Sequence, residues 1–154
     1  MALLEVKGVT KRFGGLVAVS DLHLSVDRGE ILGMIGPNGA GKTTAFNVIA
    51  GFYRPEEGRV LFDGQDITGL RPDQICKRGL ARTFQVVKPF PEISVLDNVM
   101  VGAYNRTDDA GVARAKAEEI LHFMGMMHVA EQWAGSLPIA GRKRLEIARA
   151  LATE

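Results

Sequence analysis

The sequence predicts an α/β fold built around a phosphate-binding loop, and three observations carry that prediction. The apolar run Ile31 to Ile35 (ILGMI) is flanked by glycines and reads as a strand covered on both faces. Directly after it, Gly36 to Thr43 spells GPNGAGKT, which fits the pattern G-x-x-x-x-G-K-[ST]. Thr43 to Ala50 then carries helical spacing, with Ala45, Phe46, Val48 and Ile49 as its buried stripe and Gly51 as a C-terminal stop.

The other elements follow in chain order. Leu4, Val6 and Val9 give a weak strand signal. Leu22, Leu24 and Val26 alternate with His23 and Ser25, the pattern of a half-buried strand. Arg28-Gly29 turns the chain into the apolar run. Arg59 to Phe62 reads as a short strand and Asp63-Gly64 as a hairpin turn. Leu80 to Phe84 is a further expected strand. Prolines at 89 and 91 punctuate the chain. Val112 to Phe123 reads as a helix, with Val112, Ile120, Leu121 and Phe123 on its apolar side and Arg114, Lys116, Glu118 and Glu119 exposed. A last helix is expected from near Gly141 through Leu151. No internal repeat or low-complexity segment occurs.

Composition narrows the functional classes. With 154 residues the chain suits one domain. Hydrophobic residues make up 46% and charged residues 24%, the balance of an ordinary globular domain. Nineteen basic side chains face eighteen acidic ones, so no bulk field draws in a nucleic-acid backbone or an anionic bilayer. No nucleic-acid partner is expected. The single cysteine, Cys76, excludes an internal disulfide and a cysteine-built zinc site. Apolar runs reach only about half a dozen residues, short of a membrane span, and the start lacks a signal-peptide pattern. A cytoplasmic location is the default. Glycine is over-represented at 18 residues, against a usual share of about 7%, and five of these, Gly29, Gly33, Gly36, Gly39 and Gly41, crowd one stretch.

That stretch has a physical reading. Gly36, Gly39 and Gly41 let the backbone turn tightly and approach phosphates closely. Amides from about Gly39 to Thr44, with Pro37, Asn38 and Ala40 completing the loop, can point inward as a nest. The following helix adds roughly half a positive charge at its start. Lys42 offers an ammonium to the β- and γ-phosphates, and Thr43 a hydroxyl to Mg2+. A structural glycine turn with a solvated lysine is the competing reading, and the strand-before, helix-after context disfavours it.

The neighbouring segments VTKRFGG, GPNGAGKTT, GRVLFDGQD, RTFQ and RLEIARAL, in this order, resemble the ATP-binding subunits of ABC transporters over essentially the whole chain. GGLVAVSDL, ARTFQ and AGRKRLEIARALAT are similar to the type that powers bacterial import of branched-chain amino acids. The resemblance implies a P-loop NTPase core of the ABC type. Residues 1–85 would form the β portion and loop core, 86–138 a helical portion and 139–154 a signature helix. It implies ATP and Mg2+ as cofactors, and an ATPase whose partners are a second ATP-binding subunit and transmembrane permease subunits. Its place would be peripheral, on the inner face of the cell membrane. Phe13 matches the family's adenine-stacking aromatic, with a core phenylalanine as the alternative, and Val19 lines the same pocket. Gln85 matches the glutamine that reaches Mg2+ and the attacking water; an ordinary exposed glutamine is the alternative. The region of Lys88, Pro89 and Phe90 matches the part that docks on the membrane partner.

The signature segment departs from the family pattern L-S-G-G-Q. Here Leu137, Pro138, Ile139, Ala140 and Gly141 occupy it, without the serine. Pro138 has no N–H, so the amides of Ala140, Gly141 and Arg142 are the expected anion donors. Arg142, Lys143 and Arg144 fall in the expected first turn of the helix, where cations are disfavoured by about 0.3–1 kcal/mol each. A bound phosphate would compensate them; pairing with Glu146 is the alternative. The Asp-Glu strand and later histidine that an ABC ATPase uses do not follow Leu151, and the parallel strands are too few. The chain is therefore expected to be a piece of a longer protein, holding nucleotide weakly without turnover by itself. A soluble ABC-type ATPase of repair or translation and a non-catalytic nucleotide-responsive module stand as alternatives. A kinase or GTPase is opposed by Phe13, Gln85 and RLEIARAL.

Overall fold

A computed structural model describes residues 2–86 and 88–154. The chain divides into two units, one ending at Leu80 and one running from Ala81 to Glu154.

The first unit is a four-stranded antiparallel sheet with one main helix. Strands β1 (Ala2–Phe13) and β2 (Leu16–Asp27) form a long hairpin closed at Gly14-Gly15. β1 also pairs with β3 (Glu57–Phe62), and β3 with the short β4 (Gln65–Asp66), giving the order β2-β1-β3-β4. The turn between β3 and β4 has positive φ at both Asp63 (48°) and Gly64 (74°). That is the mirror-image turn whose twist matches a hairpin, as the Asp-Gly signal predicts. Helix α1 (Lys42–Ile49) packs Val48 and Ile49 against Val6, Val9 and Val60 of the sheet, with Ile67 and Ile75 closing the core. A short helix α2 (Pro72–Cys76) carries Ile75 into it.

The second unit is helical. α3 (Val95–Ala103), α4 (Ala110–Phe123) and α5 (Ile139–Leu151) bury Val95, Leu96, Val99, Leu121, Leu145 and Ala148 together. Ser94 caps α3 by accepting from Asp97 N–H, and Asp109 caps α4 by accepting from Val112 N–H.

Several expectations need correction. Ile31–Ile35 is not a covered strand: it is irregular, and Ile31 and Ile35 are 98% and 95% exposed. A strand needs a ladder partner, and among the described residues the sheet contains only antiparallel pairs between other segments. Leu80–Phe84 likewise forms no strand. Phe46 lies on the exposed side of α1, and Val112 and Phe123 are exposed on α4, whose buried stripe is Ala113, Ala117, Ile120 and Leu121. Small alanines let α4 approach its neighbours closely. An apolar count weighted towards large residues therefore picks the wrong face. α5 begins at Ile139 rather than near Gly141.

Candidate functional site

The phosphate loop gets its shape from contact with β2. Gly39 and Gly41 have φ of 83° and 85°, the left-handed region. At Gly41 there is a second constraint. A Cβ there would stand 2.2 Å from the Ala18 carbonyl oxygen and 3.3 Å from Val19 Cγ2. Only glycine lets the start of α1 lie against the hairpin at Ala18 and Val19. This places Val19 beside the loop, and it is paired across the hairpin with Lys11.

Helix α1 opens without a side-chain cap and without an acidic residue in its first turn. Its leading amides have no intrahelical acceptor, and no acidic side chain of the helix's own first turn stands beside them. Lys42 stands at the first helical position and donates to the carbonyls of Gly36 and Pro37, both at 2.6 Å. The Pro37 carbonyl also accepts from Ala40 N–H at 3.3 Å. The ammonium thus pins the loop into a ring, and those carbonyls are neutral acceptors that a phosphate oxygen would outcompete. Gly36, Asn38 and Ala40 are exposed around this ring, as is Thr43; Thr44 is half-buried.

Phe13 ends β1 at the tip of the hairpin and is 42% exposed, which sets aside the core-phenylalanine alternative. Tyr53 meets it edge-to-face, with centroids 5.1 Å apart and planes at 79°, and Lys11 Nζ lies 5.2 Å from its centroid. Tyr53 had no signal in the sequence beyond being aromatic. The chain around it is held by Glu56, which accepts from Lys11 Nζ at 2.6 Å and from Arg12 N–H at 2.7 Å. The Lys11 hydrogen bond, then the backbone one, holds the Glu56 carboxyl below its ordinary pKa. Such an edge-on neighbour fixes the tilt of the Phe13 ring while leaving ring surface in solvent.

In the second unit, Gln85 lies in an exposed bend. Five residues on, the backbone of Phe90 is clamped by the fully buried Asn98: its carboxamide oxygen accepts from Phe90 N–H at 2.9 Å and its NH2 donates to Phe90 O at 3.0 Å. Phe90 itself is half-exposed, with the Arg149 guanidinium 4.8 Å from its ring centre.

The signature segment is built differently from expectation. Leu137 is buried, Pro138 is the cap residue of α5, and Ile139, Ala140 and Gly141 form the first turn. Arg142 N–H donates to the Pro138 carbonyl at 3.0 Å and is thereby used within the helix, whereas Ala140 and Gly141 stand among the leading positions whose amides have no intrahelical acceptor. The Arg142 guanidinium folds back onto the carbonyls of Leu137 (2.8 Å) and Gly135 (2.7 Å), and Arg144 donates to the carbonyl of Met124, which follows α4. Backbone carbonyls, rather than a phosphate or Glu146, compensate these two arginines. The charge argument for an anion at this helix therefore fails. Lys143 is exposed.

Among the described residues no group of three His, Cys, Asp or Glu side chains is placed to hold a metal, and no helix is long and apolar enough to cross a membrane.

Comparison with known proteins bears on this arrangement. Residues 19–154 match the family described as ABC transporter. The chain is 39% identical over 166 residues to the high-affinity branched-chain amino acid transport ATP-binding protein BraF of Pseudomonas aeruginosa, covering 98% of this chain and 65% of that protein. It is 38% identical over 167 residues to the corresponding protein LivG of Escherichia coli, covering 99% and 66%. The chain thus spans just under two thirds of the length of these relatives. Among solved structures, an ATP-binding cassette of an ABC transporter (MJ1267) superposes with a TM-score of 0.89 at 35% identity, covering 99% of this chain and 66% of that one. A dimeric ATP-binding cassette bound to ADP and Pi (MJ0796) superposes with a TM-score of 0.83 at 28% identity, covering 97% and 69%.

Proposed function

The chain belongs to the ABC transporter family, and from that premise we propose that it binds ATP on the loop from Gly36 to Thr44 as part of the ATP-binding subunit of a branched-chain amino acid importer. The observation that carries the proposal is the packing of Gly41 on the Ala18 carbonyl together with the Lys42 ammonium on the carbonyls of Gly36 and Pro37. It sets uncapped amides and a cation around one small loop.

The residues divide the work as follows. Amides from Gly39 to Thr44 and the start of α1 receive phosphate oxygens. Lys42 exchanges its two carbonyls for the more strongly charged oxygens of the β- and γ-phosphates. Phe13, its tilt set by Tyr53, stacks on the base, worth ~1–3 kcal/mol, and Val19 flanks it. Mg2+ fits the hard hydroxyl of Thr43, and when bound it neutralises charge on the phosphate oxygens. Gln85 is read as the residue that senses the metal and the attacking water. The importer assignment follows the relatives named above. With it come hydrolysis by the whole protein, a second ATP-binding subunit, permease partners and a place on the inner face of the membrane.

Titration calorimetry with ATP, with and without Mg2+, tests the nucleotide reading. Lys42→Ala is expected to weaken Mg2+-ATP binding at least about tenfold, the value of one charge-assisted contact. Unchanged affinity in that variant, or no binding by the parent, sinks the reading.

A further inference from the structure

The bend that carries Gln85 is fastened on both sides to one helix. Before it, Phe84 N–H donates to Glu146 Oε1 at 2.9 Å; after it, the Lys88 carbonyl accepts from Arg149 Nη1 at 3.0 Å. Glu146 and Arg149 both belong to α5, three residues apart, and so share a face. Gln85 and Val86, which lie between the two anchored positions, are in a bend and both exposed. Each anchor is chemically specific. A carboxylate accepting a backbone N–H is a charge-assisted hydrogen bond. A guanidinium can bond a carbonyl edge-on while its face lies over an aromatic ring, here Phe90, and a lysine cannot do both. Burial draws the Arg149 pKa down from its ordinary value, and the Glu146 charge opposes the shift.

We propose that Glu146 and Arg149 are positioning residues for Gln85: they lock the backbone on either side of it to α5, so that the Gln85 bend and the signature helix move as one piece. The inference deepens the reading of Gln85 given above and rests on it. A displacement of α5 would then reach Gln85 directly, through two hydrogen bonds rather than through the body of the helical unit.

Hydrogen exchange on the chain tests the tie. Glu146→Ala and Arg149→Ala should each speed exchange of the amides flanking Gln85 by about tenfold or more, the size of one lost hydrogen bond to a charged group. Exchange in α4 should not change, which reports that the unit is folded. Glu146→Gln keeps an acceptor and should restore most of the protection, and Arg149→Lys only part of it. If the alanine variants do not fold, the contrast between these two conservative variants decides. Unaltered exchange in folded alanine variants, or no difference between Gln and Lys where alanine fails, overturns the tie. ATP titrations supply the functional arm. Gln85→Ala, Glu146→Ala and Arg149→Ala should lose a similar share of the affinity gain that Mg2+ gives ATP, with metal-free ATP affinity unchanged. If only Gln85→Ala loses the gain, the positioning role is wrong. If Gln85→Ala keeps it, the reading of Gln85 itself is wrong, whatever exchange shows.

Discussion

Helices α1 and α5 both begin without a side-chain cap, whereas α3 and α4 begin on Ser94 and Asp109. The capped pair have their leading amides answered from within, which suits helices that only build a core. The uncapped pair differ from each other in how their cations are placed. At α1 the single cation, Lys42, stands in the first turn and holds two carbonyls of its own approach loop. At α5 the cations stand one turn further in, and Arg142 and Arg144 are committed to carbonyls of Gly135, Leu137 and Met124. An open helix start is therefore not by itself a prepared anion site. What distinguishes α1 is a cation in its first turn that ties down the loop leading into the helix, with glycines at 39 and 41 in the left-handed region.

The sharpest way to break this comparison is one substitution made at both helix starts. Gly41→Ala puts a Cβ 2.2 Å from the Ala18 carbonyl in a left-handed residue. A loss of about 3 kcal/mol or more and of ATP binding is expected. Gly141→Ala puts its Cβ 3.4 Å from Leu137 Cβ, an ordinary contact in a helical residue. There a gain of up to about 1 kcal/mol is expected from helix propensity. Thermal unfolding of the two variants, with and without ATP, checks both signs. Equal effects would mean that β2 does not shape the loop.

Arg142→Ala comes next. It removes two hydrogen bonds to backbone carbonyls and is expected to destabilise by about 1–3 kcal/mol. Lys143→Ala, at an exposed position, should fall within about 0.5 kcal/mol. Urea unfolding separates them. A null effect at Arg142 with a large one at Lys143 would restore an anion to this segment. Ser94→Ala follows with an expected loss of about 1 kcal/mol, and ATP affinity is the control that should not move.

How much of this was legible in the sequence differs between the two regions for the same physical reason. The loop is local in its residues: GPNGAGKT marks which of them surround Lys42, although its packing on Ala18 and Val19 of β2 is a distant contact that the motif does not show. The hairpin turn at Asp63-Gly64 is local too, and so is the Asp109 cap of α4, yet the apolar pattern puts that helix start at Val112 rather than Ala110. What could not be read is what depends on partners distant in sequence. Ile31–Ile35 has a strand's composition yet no ladder neighbour among the described residues. The start of α5 was displaced because Pro138 is a cap residue, a role that composition alone does not separate from a break. The carbonyl partners of Arg142 and Arg144 carry no sequence signal, since any residue supplies a carbonyl. Helix α3 was missed although Ser94 and Asp97 spell a capping pattern. Glu146 and Arg149 had the helical spacing of a pair, but nothing indicated that their target was the backbone around Gln85.

The smallest expected effect concerns the rim of the first site and depends on pH. Glu56 joins Lys11 and the Arg12 amide beside Phe13, and those bonds hold its pKa below the ordinary value. A carboxyl with a folded pKa lower than its unfolded one contributes stability above the unfolded value. That contribution is lost as pH falls through the folded value. The window therefore lies below about pH 4, and at neutral pH the contact is fully formed. Because the group is solvent-exposed, the change in melting temperature on acidification should be slight, and Glu56→Gln should flatten it. The same acidification should free Lys11 from Glu56 while leaving its bond to the Arg54 carbonyl at 2.9 Å. The ring of Phe13 should then keep its place against Tyr53. Near-ultraviolet dichroism of Tyr53 measures this directly: a signal that collapses with Glu56 protonation would mean that the carboxylate, rather than the edge-on ring, sets the tilt of Phe13.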